Sequence, residues 1–117
     1  MKLLLVDDND KIRQIMKDFY SPYFDEVVEC SDGREAVDQF PVVHPDWTVM
    51  DVKMKSMDGI EAARQILSEQ GKAKIILVSQ FGDEGTIFAA KESGAIAFVK
   101  KDNLENVIEV IKQSTIK

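Results

Sequence analysis

The chain is poor in the residues that staple or anchor a fold from outside. Its single cysteine, Cys30, excludes an internal disulfide, and with one histidine, His44, it leaves too few nitrogen and sulfur ligands for a zinc site. No apolar run approaches the roughly 20 residues of a membrane span. The opening Met1–Val6 meets Asp7-Asp8 too early for a signal-peptide core, so a cytoplasmic location is expected. Basic residues are in deficit as well, 15 Lys+Arg against 21 Asp+Glu, and they form no cluster. That balance argues against a grip on a nucleic-acid backbone, which depends on Lys and Arg contacts to phosphate. No linker, repeat or low-complexity tract divides the 117 residues, and one domain over 1–117 is expected. A domain of that length buries about two-thirds of its unfolded surface and folds without a staple.

What is present is an alternation of short Val-, Ile- and Leu-rich runs with longer segments of helical period, the pattern of stacked βα units. The runs are Leu3–Val6, Glu26–Cys30, Trp47–Met50, Lys74–Val78 and Ala95–Val99. Most are apolar on consecutive positions, which fits strands covered on both faces by helices, as in a parallel sheet. Ile12, Ile15, Met16 and Phe19 fall at the spacing of one helix face, with Pro22 ending that helix. Asp32 with Glu35, and Asp58 with Glu61, have the spacing of capping boxes, while Gly71 and Gly94 sit where helices would end. The spacing predicts a fourth helix over Asp83–Ser93, the loosest because Gly85 lies in its first turn, and a fifth over Asn103–Gln113 with Leu104, Val107, Ile108 and Ile111 on one stripe. The expected fold is α/β: a doubly wound five-stranded parallel sheet of order 2-1-3-4-5, flavodoxin-like (βα)5.

On that scheme the polar residues gather at carboxyl ends of strands: Asp7 and Asp8 after the first, Asp51 after the third, Ser79 after the fourth, Lys100-Lys101 after the fifth. Ligands of open α/β sheets bind outside those ends, where the strand order reverses, here between strands 1 and 3. Three converging carboxylates repel unless a cation compensates. An all-oxygen set suits a hard divalent ion such as Mg²⁺, which keeps waters and takes one or two carboxylates plus phosphate oxygens. A carboxylate beside such an ion can attack a phosphoryl group and form an acyl phosphate. Asp51, between the acidic pair and the Ser and Lys, is the best candidate.

Taken together, Leu4-Leu5-Val6-Asp7-Asp8, Met50-Asp51-Val52-Lys53-Met54, Met57-Asp58-Gly59-Ile60-Glu61-Ala62, Val78-Ser79 and Gly94-Ala95 leading to Phe98-Val99-Lys100-Lys101 resemble the receiver domain of two-component response regulators, the CheY-like superfamily, along the whole chain. The resemblance implies Asp51 as phospho-acceptor from a sensor histidine kinase. It implies Asp8, Asp51 and the Lys53 backbone carbonyl as ligands of Mg²⁺ or Mn²⁺, with Asp7 acting through water. Ser79 and a lysine would bind the phosphoryl group, and Phe98 would be the switch aromatic. The family's lysine stands three residues after that aromatic, which selects Lys101 over Lys100. The fourth helix, fifth strand and fifth helix would then form the face that responds, read by a second copy, a partner or an output domain. The Lys101-Asp102 ending is similar to receivers joined to helix-turn-helix outputs, and it raises the question of a trans bond where the family often has a cis proline.

Other readings are weaker. A haloacid-dehalogenase-like phosphatase wants a second acid two residues past the nucleophile, where this chain has Lys53. A flavin binder would want a Ser/Thr/Gly-rich loop after the first strand rather than Asp7-Asp8-Asn9-Asp10. A pseudo-receiver, an interaction module that is not phosphorylated, usually lacks part of the set. His44 lies in a loop and Cys30 reads as a small buried apolar residue, while Met54 and Met57 read as packing residues. Lys53 and Phe81, two residues past Asp51 and Ser79, offer no carboxylate or amide to orient a hydrolytic water. The expectation is therefore a signalling domain rather than an enzyme, taking a phosphoryl group onto itself and losing it slowly.

Overall fold

The computed structural model describes residues 1–80 and 82–115, Thr115 by its backbone alone. Five strands alternate with five helices: β1 Lys2–Val6, α1 Asp10–Tyr20, β2 Glu26–Cys30, α2 Gly33–Val43, β3 Trp47–Asp51, α3 Gly59–Glu69, β4 Ile75–Ser79, α4 Glu84–Glu92, β5 Ala97–Lys100 and α5 Leu104–Thr115. All pairings are parallel, in the order β2-β1-β3-β4-β5. This is the expected doubly wound, flavodoxin-like (βα)5 topology.

Side-chain alternation sorts the apolar strand residues onto two faces. Leu3, Leu5, Trp47, Val49, Ile76, Val78 and Val99 pack with Met16 and Tyr20 of α1 and with Val107, Ile108 and Ile111 of α5. Leu4, Val6, Met50, Ile75 and Leu77 pack with Ala36 and Phe40 of α2, Ala62, Ala63 and Ile66 of α3 and Ala90 of α4. Cys30 joins the second cluster, and Met54 and Met57 pack at its edge. Burial pushes the Cys30 thiol up to about 12.

The central strands β3 and β4 are buried throughout, whereas the edge strands β2 and β5 are half covered, as their mixed sequences require. Ile15 departs from the expected stripe: it is 60% exposed, while Ile12, Met16 and Phe19 turn to the core. Its position on the rim of α1 lies beyond the arc that the sheet covers.

Helix ends follow local chemistry closely. The side chains of Asn9, Asp32, Asp58 and Asp83 accept from the amides of Ile12, Glu35, Glu61 and Thr86. The expected box at α2 closes one residue early, because Glu35 returns to the Ser31 amide at 2.6 Å. After α1 the chain makes one 3-10 turn, Ser21–Tyr23, with Pro22 inside it rather than stopping the helix outright. His44 ends α2 in the left-handed conformation, φ 52°. Gly94, φ 95°, follows α4 and takes the chain through a turn before β5. For that reason β5 begins at Ala97 instead of Ala95: Ile96 already hooks its amide onto the Ile75 carbonyl at 2.8 Å.

Candidate functional site

The carboxyl ends of β1, β3, β4 and β5 project polar residues into the same cleft. Asp7 continues β1 by one residue, its amide donating to the Cys30 carbonyl at 3.2 Å. Asp51 closes β3, and the Val52 amide continues that pairing onto the Val78 carbonyl at 2.9 Å. Ser79 closes β4, and its carbonyl accepts from the Lys101 amide at 2.9 Å, which sets Lys101 beside it. The resulting cavity, about 170 Å³, is lined by Asp7, Asp8, Asp51, Lys53, Ser79 and Lys101 together with Asn9, Ile12 and Gln80.

Ligand oxygens of Asp7, Asp8 and Asp51 lie within 4.8 Å of one another. Asp7 is fully buried, Asp51 is 5% exposed and Ser79 is 2% exposed. Lys101 Nζ stands 2.7 Å from Asp7 Oδ2 and 3.2 Å from Asp51 Oδ2, whereas Lys100 is exposed. Burial raises the Asp51 carboxyl above its ordinary range against the pull of the Lys101 ammonium, and the Asp7 and Asp8 carboxylates add to the rise. Burial alone would lower Lys101, but the hydrogen bond and charges of Asp7 and Asp51 outweigh it and hold the ammonium above its usual value. The Lys101 ammonium thus pairs with two of the three carboxylates. An all-oxygen donor set with this excess of negative charge fits a hard divalent cation.

Three further features hold the cluster. The Asn9 amide donates to Asp7 Oδ1 at 2.9 Å, and the Lys55 amide to Asp8 Oδ2 at 3.3 Å. Gly59 brings α3 against β3: its amide donates to the Val52 carbonyl at 2.7 Å, and a Cβ on it would run into the Asp51 carbonyl. Arg13 reaches back from α1 to the Asp7 carbonyl at 2.7 Å. The sequence marks Asp58 as a cap but signals neither the reach of Arg13 to the Asp7 carbonyl nor the close approach at Gly59. The local signal for Arg13 is its place three residues after Asp10, with which it pairs at 2.9 Å.

Phe98 stands apart from the cavity, half-buried on β5 against the α2/α3 side of the core. Lys53 lines the cavity; the hydroxyl and amide of Thr86, hydrogen-bonded to Asp83, lower the Asp83 carboxyl, with a smaller contribution from the Lys53 charge. Phe81 lies outside the described residues. The Lys101–Asp102 bond is trans.

A family model described as Response regulator receiver domain matches residues 3–112. The chain belongs to that family. Among its relatives is the chemotaxis protein CheY of Listeria monocytogenes, 34% identical over 97% of this chain and 98% of the relative. Solved structures similar to this receiver include a two-component response regulator of the LuxR family from Aurantimonas, 27% identical, with a TM-score of 0.88 over 96% of this chain and 82% of that one. CheY in the CheX–CheY–BeF3–Mg²⁺ complex of Borrelia burgdorferi is 26% identical, with a TM-score of 0.87 over 100% and 90% of the two chains. Among the described residues no helix of the receiver is long and apolar enough to cross a membrane.

Proposed function

We propose that this receiver accepts a phosphoryl group on Asp51 from the phosphohistidine of a sensor histidine kinase. The observation that carries the reading is the convergence of Asp7, Asp8 and Asp51 within 4.8 Å, with Lys101 bridging Asp7 and Asp51. An Asp51 carboxylate oxygen attacks phosphorus in line, a P–O bond forms, the P–N bond to the donor imidazole breaks, and the product is an acyl phosphate. Asp8, Asp51 and the Lys53 carbonyl would hold Mg²⁺ or Mn²⁺, with Asp7 acting through water, and such an ion would supply neutralisation of charge on the transferring phosphoryl group. Ser79 and Lys101 grip the phosphoryl oxygens. Lys101 has only to follow the negative charge from the Asp51 carboxylate outward to do so.

The phosphoryl group shifts the domain between two arrangements only through contacts that differ between them, here those of Ser79 and Lys101. Phe98 then turns inward, and the face of α4, β5 and α5 repacks for a second copy, a partner or an output domain. Self-phosphorylation from small donors and slow self-dephosphorylation complete the reading. That a related CheY is known in complex with CheX, BeF3 and Mg²⁺ supports the same ligand chemistry here.

The test is intact-mass analysis after incubation with Mg²⁺ and acetyl phosphate or phosphoramidate. One phosphoryl group on wild type and none on Asp51→Asn is the expected result. Equal uptake by both would reject Asp51, and no uptake by either would favour an interaction module that is never phosphorylated.

A further inference from the structure

Arg13 is the one cation on α1 that reaches the acidic loop through its backbone. Its side chain is 16% exposed, and each arm of the guanidinium has an oxygen partner. Nη1 donates to the Asp7 carbonyl at 2.7 Å, Nε to Glu29 Oε1 at 3.0 Å and Nη2 to Asp10 Oδ1 at 2.9 Å. Glu29 is held in turn through its other oxygen, 3.1 Å from Lys17 Nζ. The backbone of Arg13 belongs to the same turn, its amide donating to the Asn9 carbonyl at 2.9 Å. Opposite charges and the rigid guanidinium fork therefore fix one atom of the metal loop, the Asp7 carbonyl oxygen, against β2 and α1 together.

That oxygen defines the peptide plane between Asp7 and Asp8. Because the peptide is planar, fixing its carbonyl couples the torsion that precedes it on Asp7 to the torsion that follows it on Asp8. The direction in which Asp8 leaves the backbone is set by that plane. The only other tie on Asp8 recorded among the described residues is the longer bond from the Lys55 amide, 3.3 Å.

We propose that Arg13 is a positioning residue for the metal pocket, holding the Asp7–Asp8 peptide so that the Asp8 carboxylate faces the cation. The inference rests on the Mg²⁺ reading given above. It differs in sign from a charge effect: removing a cation next to the acidic loop would, on charge alone, tighten Mg²⁺ binding. It differs also from a plain brace between α1 and β2, whose loss would lower stability and leave Mg²⁺ affinity untouched. Partners that orient metal ligands typically change affinity by about ten- to a hundredfold when removed.

The experiment is calorimetric titration of the whole chain with Mg²⁺, without any phosphoryl donor, for wild type, Asp8→Asn, Arg13→Gln and Arg13→Lys, each at a temperature where circular dichroism shows it folded. Arg13→Gln is expected to bind about tenfold more weakly than wild type. Arg13→Lys should fall between the two, since one ammonium cannot hold the Asp7 carbonyl and Glu29 together. An Arg13→Gln affinity equal to or tighter than wild type overturns the proposal. Should Arg13→Gln not fold, Arg13→Lys decides: equality with wild type overturns it. A wild type that binds Mg²⁺ and is weakened by Asp8→Asn, but not by the Arg13 variants, rejects the positioning role and leaves the metal reading standing. A wild type that binds no Mg²⁺ rejects both.

Discussion

Helices α3 and α4 begin alike and end up in different mechanical situations. Each follows a strand that carries a site residue, and each is capped by an aspartate whose side chain accepts from an amide three residues on. Yet α3 buries Gly59, Ala62, Ala63 and Ile66, whereas α4 buries only Ala90 and leaves Phe88 66% exposed. Small residues at the start of α3 allow backbone to touch backbone beside Asp51. Nothing comparable seats α4. The lesson is a division of labour on one face of the sheet: α3 is packed tightly enough beside Asp51 to hold charges at fixed separations, whereas α4 has little buried surface to lose if it shifts. Lys101 is the strap across the cleft, rooted at the end of β5 and reaching to Asp7 and Asp51.

Cutting the strap should produce the largest effect. Lys101→Met leaves Asp7 and Asp51 buried with no ammonium between them, and breaking a buried pair in this way costs about 3 kcal/mol or more near neutral pH. The folded value of Lys101 is raised, so its contribution is complete below the unfolded lysine value of about 10.4 and fades as pH rises through the folded one. Asp51 has the opposite consequence. Its folded value is also raised, so the stability it contributes is present below about pH 4 and is lost as pH climbs through the folded value. Its ionised form is a cost to the metal-free fold, and Asp51→Asn should be more stable than wild type at neutral pH and equal to it in acid. Urea melts of the three proteins across pH check both signs. A Lys101→Met variant as stable as wild type at neutral pH would mean that the end of β5 is not coupled to the carboxylates through this ammonium.

Next in size is an attack on the seat of α3. Gly59→Ala places a methyl group where the Asp51 carbonyl and the Val52 backbone already stand, and backbone cannot swing aside as a side chain can. Overpacking of this kind costs about 1 to 3 kcal/mol, and the strain falls on the residue that carries the acceptor carboxylate. The expected outcome is a lower urea midpoint together with weaker Mg²⁺ binding. A variant with wild-type stability and affinity would erase the contrast drawn between the two helices.

The contrast also explains what could be read in advance from residue types. The βα alternation, the two-faced core and the place of Asp7, Asp8 and Asp51 at strand ends follow from local pattern, because period-2 burial and carboxyl-end placement need no knowledge of distant partners, whereas the strand order that makes them converge comes with the doubly wound fold class. The exposure of Ile15 was not legible: a run of apolar residues at helical spacing marks a face but not how wide an arc the sheet will cover. Nor was Arg13, whose partner Glu29 is 16 residues away on an edge strand and becomes a neighbour only when β2 pairs with β1. The start of β5 is not legible either, because Gly94-Ala95-Ile96 is apolar enough for a strand, while the left-handed glycine that turns the chain there is a property of the backbone and not of hydropathy. Gly59 belongs to the same class, since a close approach between backbones leaves no trace in composition.

The smallest expected effect comes from stiffening α4. Gly85 lies in the first turn, at ordinary helical φ, and a Cβ on it would meet only Asp83 Oδ2, at 3.4 Å, a van der Waals contact. The cap should survive, because Asp83 holds the Thr86 amide at 3.1 Å and the Thr86 hydroxyl at 2.7 Å through bonds that the new methyl group does not cross. Gly85→Ala should then stabilise the domain by about 0.5 kcal/mol, mainly by restricting the unfolded chain. If α4 opens locally, without the whole domain unfolding, its amides over residues 83–93 should exchange about twofold more slowly, the factor corresponding to that free energy. A rise in the urea midpoint with residues 59–69 and 83–93 equally protected and slowed together would mean that this helix opens only when everything does, so that its sparse burial does not make it a separate unit. A fall in the midpoint would mean that the methyl group disturbs the Asp83 cap and that the glycine is required there. Slower exchange of α4 amides that are less protected than residues 59–69 in the wild type is the outcome that would establish α4 as independently adjustable, and it would make Gly85→Ala a means of damping any rearrangement of the α4, β5 and α5 face without touching the carboxylates.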